Sequence, residues 1–201
     1  MESTRSTLGR PRGFDADEAL ERAMLVFWEQ GYDGATLTDL TEAMGITRTS
    51  MYAAFGNKEE LFYKALERYT EGPASYVLRA IARPTARQVA EAFLTGSVCA
   101  TTNPGSPAGC LSVQGSLAAG DTGRSARDAV TSTREVGWSR LRDRFRKAVD
   151  DGDLAPGTDP GLLARFLMTV SNGIAVQAAS GVDAAVLQRV ADAALRQWPP
   201  V

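Results

Sequence analysis

Histidine is absent from the 201 residues, which removes the usual zinc motifs and every His-based catalytic triad. Only two cysteines occur, Cys99 and Cys110; they form no close-spaced pair, so no disulfide framework is encoded. No apolar run approaches the roughly 18 residues of a membrane span, and the N-terminus lacks a signal-peptide apolar core. The expected compartment is therefore the cytoplasm. No glycine-rich phosphate cradle and no carboxylate pair framed by a nucleophile can be found, so an enzyme is not expected, nor is a metal or another cofactor. Charge of one sign is also missing: a net charge of -2 argues against nonspecific coating of nucleic acid, so any DNA binding must be local and geometric. Strand-like alternation is absent at any useful length, and the apolar residues recur instead at helical spacing.

What is present is concentrated in residues 36–62, TLTDLTEAMGITRTSMYAAFGNKEELF. Thr36 with Asp39 forms a capping box ahead of Leu37, Leu40 and Met44 on one helical face. Gly45 then closes that helix, and Thr47 caps a second one that turns Met51 and Phe55 inward. This spacing predicts a helix-turn-helix. The second helix holds Arg48 and no acid between Ala43 and Asn57, and its outward positions Arg48, Thr49, Tyr52 and Ala53 are small or donor-bearing, suited to a major groove. Asn57 and Glu60 box the next helix, with Lys58 in the first turn, where backbone N–H groups favour a phosphate.

Gly45, Ile46, Thr47, Ser50, Met51, Tyr52, Phe55, Lys58, Glu59 and Leu61 together resemble the pattern of the tetracycline-repressor-like (TetR) transcriptional regulators. Thr49 and Ala54 depart from the residues common in that family. The resemblance is specific over residues 14–69 and architectural beyond, and it implies that Tyr52 and Lys58 contact DNA phosphates. Residues 1–13 carry Arg5, Arg10 and Arg12 against one acid, Glu2, and are expected to form a flexible basic arm able to enter a neighbouring minor groove. The candidate DNA contacts are thus Arg10, Arg12, Thr36, Thr47, Arg48, Thr49, Ser50, Tyr52 and Lys58.

The remainder reads as an all-α, two-domain chain: the arm at 1–13, the helix-turn-helix domain at 14–57 and a linking helix at 58–73. A helical ligand-binding and dimerisation domain at 74–201 completes it. Asp15 with Glu18, Thr85 with Gln88, and Ser125 with Asp128 are expected capping boxes. The helix that Ser125 would start carries Arg134, Arg140, Arg142, Arg144, Arg146 and Lys147 around more than one face, interspersed with Glu135 and Asp143. A solvated helix is expected there. Aromatic and soft side chains on separate helices mark an expected pocket for an apolar or amphipathic effector: Phe93, Cys99, Cys110, Val113, Leu117, Trp138, Phe145 and Met168.

Two long apolar helices close the chain, with small residues Gly173, Ala175, Ala179 and Gly181 permitting close approach. By resemblance, the last two helices form a four-helix dimer interface, here assigned to Leu167, Ile174, Ala175, Ala178, Val190 and Leu195. The expected protein is a homodimeric regulator, most simply a repressor, released from a palindromic double-stranded DNA operator by a small molecule. Two alternatives stay open: a helical protein-interaction module without DNA binding, and a repressor that senses electrophiles or oxidants through Cys110, whose Gly-Cys-Leu setting resembles a subgroup of the family.

Overall fold

The computed structural model describes residues 13–117 and 123–199, with backbone alone at 115–117. Among these residues ten α-helices and one short 3₁₀ turn occur, and no strand. The helices are α1 (Ala16–Gly34), α2 (Leu37–Met44), α3 (Arg48–Phe55), α4 (Lys58–Glu71), α5 (Tyr76–Ile81), α6 (Ala86–Thr101), α7 (Leu111–Leu117), α8 (Arg124–Asp150), α9 (Pro160–Ala179) and α10 (Ala184–Arg196). Arg10 and Arg12 lie outside the described residues.

Two apolar clusters organise the helices. The first is built from Met24, Phe27 and Trp28 of α1, Leu40 and Met44 of α2, Met51 and Phe55 of α3, and Leu61, Phe62, Ala65 and Leu66 of α4. Aromatic rings lock it: Phe62 meets Phe27 edge-on at 5.1 Å and Tyr32 at 5.2 Å. Full burial of rings this large stabilises by about 2–3 kcal/mol each. The cluster also takes in Leu111, Ala126 and Val130, so α7 and the start of α8 pack on the first four helices. The second cluster joins α5, α6, α8, α9 and α10 around Phe93, Leu94, Leu141, Phe145, Leu163, Leu167 and Ile174.

Local chemistry explains the helix ends and corrects three of the expected boxes. Thr36–Asp39 and Asn57–Glu60 are reciprocal, as the spacing predicts. Asp15 caps α1 alone, because Glu18 pairs with Arg22 one turn on. Thr85 likewise receives the Gln88 N–H without a returned bond, while the Ala86 N–H donates to Asp153. Helix α8 starts at Arg124 without a side-chain cap; Ser125 falls inside it and its hydroxyl is engaged by Glu59 and Tyr63 of α4. Helix α5 has six residues and no side-chain cap, which is why the sequence gives no sign of it.

Helix α9 also departs from expectation. Over its length it is apolar enough to cross a membrane, with a mean hydropathy of 1.3, yet only 39% of that window is buried within the protomer. Much of its apolar surface thus remains outward.

Two glycines hold backbone that other residues resist. Gly45 closes α2 at φ 66, ψ 31, and Gly56 separates α3 from α4 at φ 81, ψ -151. The first is left-handed helical space; the second is nearly exclusive to glycine, and an added Cβ there meets the Glu60 carboxylate of the capping box. Gly45→Ala is expected to cost about 1 kcal/mol and Gly56→Ala about 3 kcal/mol, since the latter adds a lost cap to strain. Urea unfolding midpoints measure both, and equal losses would contradict the assignment.

Candidate functional site

The helix-turn-helix is held by its own polar side chains. Thr36 Oγ1 donates to Asp39 Oδ2 at 2.7 Å and accepts the Asp39 N–H at 3.1 Å. Those bonds hold the Asp39 carboxyl below its usual range, the Thr36 hydroxyl contributing most and its backbone N–H next. At the turn, Gly45 N–H and Ile46 N–H close onto the Glu42 and Thr41 carbonyls. Thr47 then accepts the Ser50 N–H at 3.1 Å, and its hydroxyl lies 3.0 Å from that of Ser50.

Four of the expected contacts are brought onto one exposed surface: Thr47, Arg48 and Thr49 at the start of α3 and Tyr52 a turn on, the last 48% exposed. Ser50 is half-buried beside Thr47. Thr36 is exposed at the start of α2. Arg48 is held by α2, its guanidinium donating to Thr38 Oγ1 at 2.9 Å. Lys58 is half-buried: its ammonium sits over the Tyr32 ring, 4.5 Å from the centroid. Burial lowers its pKa and the Asp33 charge opposes that shift. Gly13 and Phe14 border a recess with Ile46, Thr47, Ser50 and Ala53.

Behind this unit lies a cavity of about 560 Å³. Helix α4 supplies Tyr63, Leu66, Tyr69 and Thr70, and α5 and α6 supply Tyr76, Val77 and Phe93. Cys110 and Ser112 also line it, with Ala129, Thr133, Gly137 and Arg140 of α8 and Met168, Ser171 and Asn172 of α9 among the rest of the wall. Tyr69 donates to Cys110 Sγ at 3.2 Å, and Sγ lies 3.0 Å from Ser112 Oγ. Burial pushes the Tyr69 phenol well above its ordinary range, with the neighbouring Cys110 adding to it. Tyr76 is pushed up to about 12, chiefly by burial and then by Cys110, against hydrogen bonds with Ser171 and Ser97.

Of the expected pocket residues, Phe93, Cys110 and Met168 line this cavity. Cys99 faces outward on α6. Val113 is buried away from it, and Phe145 is a core residue packed on Trp198. Trp138 is stacked under the guanidiniums of Arg142 and Arg165. The side chain of Leu117 lies outside the described residues. Tyr63, Tyr69, Tyr76 and Ser171 were missed because helical periodicity sorts residues into inside and outside, and a cavity wall is neither.

The expected interface residues need a similar correction. Leu167, Ile174, Ala175, Ala178 and Leu195 are at most 5% exposed and pack within the protomer, because α9 and α10 use those faces against α6 and α8. Val190 alone of the set is outward, at 48%. Leu162, Val176 and Val186 share that exposure, and a Cβ added at Gly173 would meet nothing within 4 Å.

Comparison with known proteins follows the same division. Residues 19–65 match the family model of bacterial regulatory proteins of the tetR family, and residues 86–194 match that of the tetracyclin repressor-like C-terminal domain. The HTH-type transcriptional repressor ComR of Escherichia coli (strain K12) is 30% identical over 194 residues, which is 95% of this chain and 92% of ComR. A cysteine mutant of the TetR family transcriptional regulator CifR, solved with 26-base-pair double-strand operator DNA, superimposes with a TM-score of 0.90 at 43% identity, covering 94% of this chain and all of that one. A TetR-family regulator from Cytophaga hutchinsonii shares the fold at 21% identity, with a TM-score of 0.76 over 90% of each chain.

Exposure separates the two thiols. A disulfide-exchange reagent is expected to modify Cys99 quickly and Cys110 slowly, and Cys99→Ser removes the fast phase. Loss of the fast phase in Cys110→Ser instead would contradict the placement of these side chains.

Proposed function

The chain belongs to the TetR family of transcriptional regulators, and from that premise we propose that it binds a palindromic operator as a homodimer and releases it when a small molecule fills the cavity beside α4. The observation that carries the DNA reading is the exposed, acid-free face of α3, with Arg48, Thr49 and Tyr52 presented by an end that two capping residues hold rigid. Arg48, held by Thr38, is poised to read a base edge, while Tyr52 and Lys58 set register on phosphates. Lys58 needs only to leave the Tyr32 ring, and a phosphate would offset the burial that lowers its pKa. Arg10 and Arg12, which lie outside the described residues, are assigned the adjacent minor groove in this proposal.

The outward apolar residues Leu162, Val176, Val186 and Val190 of α9 and α10 support pairing of two protomers through these helices, and Gly173 leaves room for a facing helix to come close. The effector reading rests on α4. Its residues Leu66 and Tyr69 belong to the first core and also line the cavity, so an occupant that displaces them tilts the helix carrying Lys58. A coupling of about 1–3 kcal/mol would lower operator affinity 5- to 150-fold. A thiol-sensing variant of this reading is favoured by the position of Cys110 in the cavity wall between Tyr69 and Ser112. Loss of operator binding on alkylation of wild type but not of Cys110→Ser supports it; equal responses dispose of it.

Selection of bound sequences from a random DNA pool tests the reading as a whole. A palindrome with half-sites spaced by helical turns is expected, and recovery of no preferred sequence would overturn it. On that operator, Arg48→Ala should cost about 1–3 kcal/mol and relax preference at one base position, whereas Lys58→Ala should weaken all sequences alike and reduce the salt slope. An Arg48→Ala loss with preference unchanged would remove its base-reading role.

Dimerisation has its own test. Val190→Glu or Val176→Glu puts an unpaired charge on the outward face and should give folded monomers by sedimentation, with operator binding lost. Ala175 and Leu195 are unsuitable sites because a charge there unfolds the protomer. A Val190→Glu protein that stays dimeric would place the interface elsewhere.

A further inference from the structure

The cavity beside α4 has a chemical polarity that points to its occupant, and this argument rests on its reading as the effector site. Leu66, Val77, Phe93 and Met168 give it an apolar body. On the α8 side it is lined by Arg134 and Arg140, and neither guanidinium makes a salt bridge or a hydrogen bond among the described residues. The cations one or two turns further along α8 differ. Arg142 and Arg146 pair with Asp143, Lys147 with Asp151, and Arg144 donates to the carbonyls of Ile81, Arg83 and Pro84. Arg134 acts on its neighbour Glu135 through charge alone, because the hydrogen bonds of that carboxylate go to both terminal nitrogens of Arg165. One carboxylate, Glu67 of α4, also lines the cavity, so its charged lining carries one net positive charge.

Between the two arginines sits Gly137, in the interior of a 27-residue helix. A glycine there is less favourable than alanine, and an added Cβ would meet nothing within 4 Å. No neighbouring side chain requires the gap. It widens the cavity between its two cations.

We propose that the effector is an amphipathic monoanion, a carboxylate-headed molecule of drug-like size or smaller, whose head pairs with Arg134 and Arg140 and whose apolar body lies over Gly137 toward Phe93 and Met168. One negative charge cancels the surplus of the lining, and the planar guanidinium offers the paired donors that a carboxylate accepts. An uncharged isostere offers neither guanidinium an anionic acceptor, and an organic cation meets them unfavourably.

Octanoate and 1-octanol share length and apolar body and differ in the charged head, so their dissociation constants for the full-length protein, measured by calorimetry, separate head from body. Octanoate is expected to bind at least about tenfold more tightly than 1-octanol. The double variant R134Q/R140Q should lose that preference while keeping its 1-octanol affinity. Gly137→Phe, with its fold checked by circular dichroism and thermal melting, should lose both probes by filling the space. Equal affinities for the two probes, each abolished by Gly137→Phe, would overturn the anion assignment and leave the cavity as effector site. Binding of neither probe to wild type, or binding unaffected by Gly137→Phe, would overturn the cavity reading as well. An octanoate preference that survives R134Q/R140Q would overturn the role of the arginines.

Discussion

Tyr69 packs edge-on against Trp28, ring centroids 4.9 Å apart, while its hydroxyl donates to Cys110 Sγ at 3.2 Å. One side chain of α4 is therefore clamped by α1 on one side and by the segment leading into α7 on the other. The rest of the architecture depends on that double constraint. Leu61, Phe62 and Ala65 root α4 among α1, α2 and α3, and Tyr63, Leu66 and Thr70 face the cavity. Arg68 pairs with Glu21 and more loosely with the exposed Asp17, a further attachment of α4 to α1. Because packed interiors rearrange between discrete states rather than deforming smoothly, the proposed release of DNA asks of this helix only that it convert a change in the cavity into a change at α3.

How much of this was legible in the sequence depended on the range of the interactions. The helix-turn-helix could be read residue by residue, because a capping box and a left-handed glycine are decided within four or five residues of chain. Thr36–Asp39, Gly45 and Asn57–Glu60 are each of that kind. Ser125 has the same local pattern, yet Glu59 and Tyr63 of α4 claim its hydroxyl and the cap does not form. Lys58 shows the same limit: its place in the first turn of α4 is local, whereas its position on the Tyr32 ring required the kink at Gly31, φ 72 and ψ 174, that turns the end of α1.

The cavity and the outward face of α9 lay beyond sequence reading for a different physical reason. Helix α9 is apolar nearly all round, so periodicity does not say which stripe meets its own protomer and which remains outside. The inner stripe, with Leu167, Ile174 and Ala178, is consumed by α6 and α10, and Leu162 and Val176 are left over. On α8 the arginine-rich surface is indeed mostly spent on local carboxylates and on the carbonyls around the end of α5. Only the pairing pattern, invisible in one dimension, distinguishes Arg134 and Arg140 from their neighbours.

The central claim is that the cavity and the DNA-facing helix share α4 as one mechanical element. Filling the cavity covalently tests it without any effector: operator affinity of the Gly137→Phe dimer can be measured by fluorescence anisotropy beside wild type at one salt concentration. The account predicts an affinity lowered between about 5- and 150-fold, with the melting profile of a folded protein. Operator affinity equal to wild type in a folded Gly137→Phe dimer would contradict it.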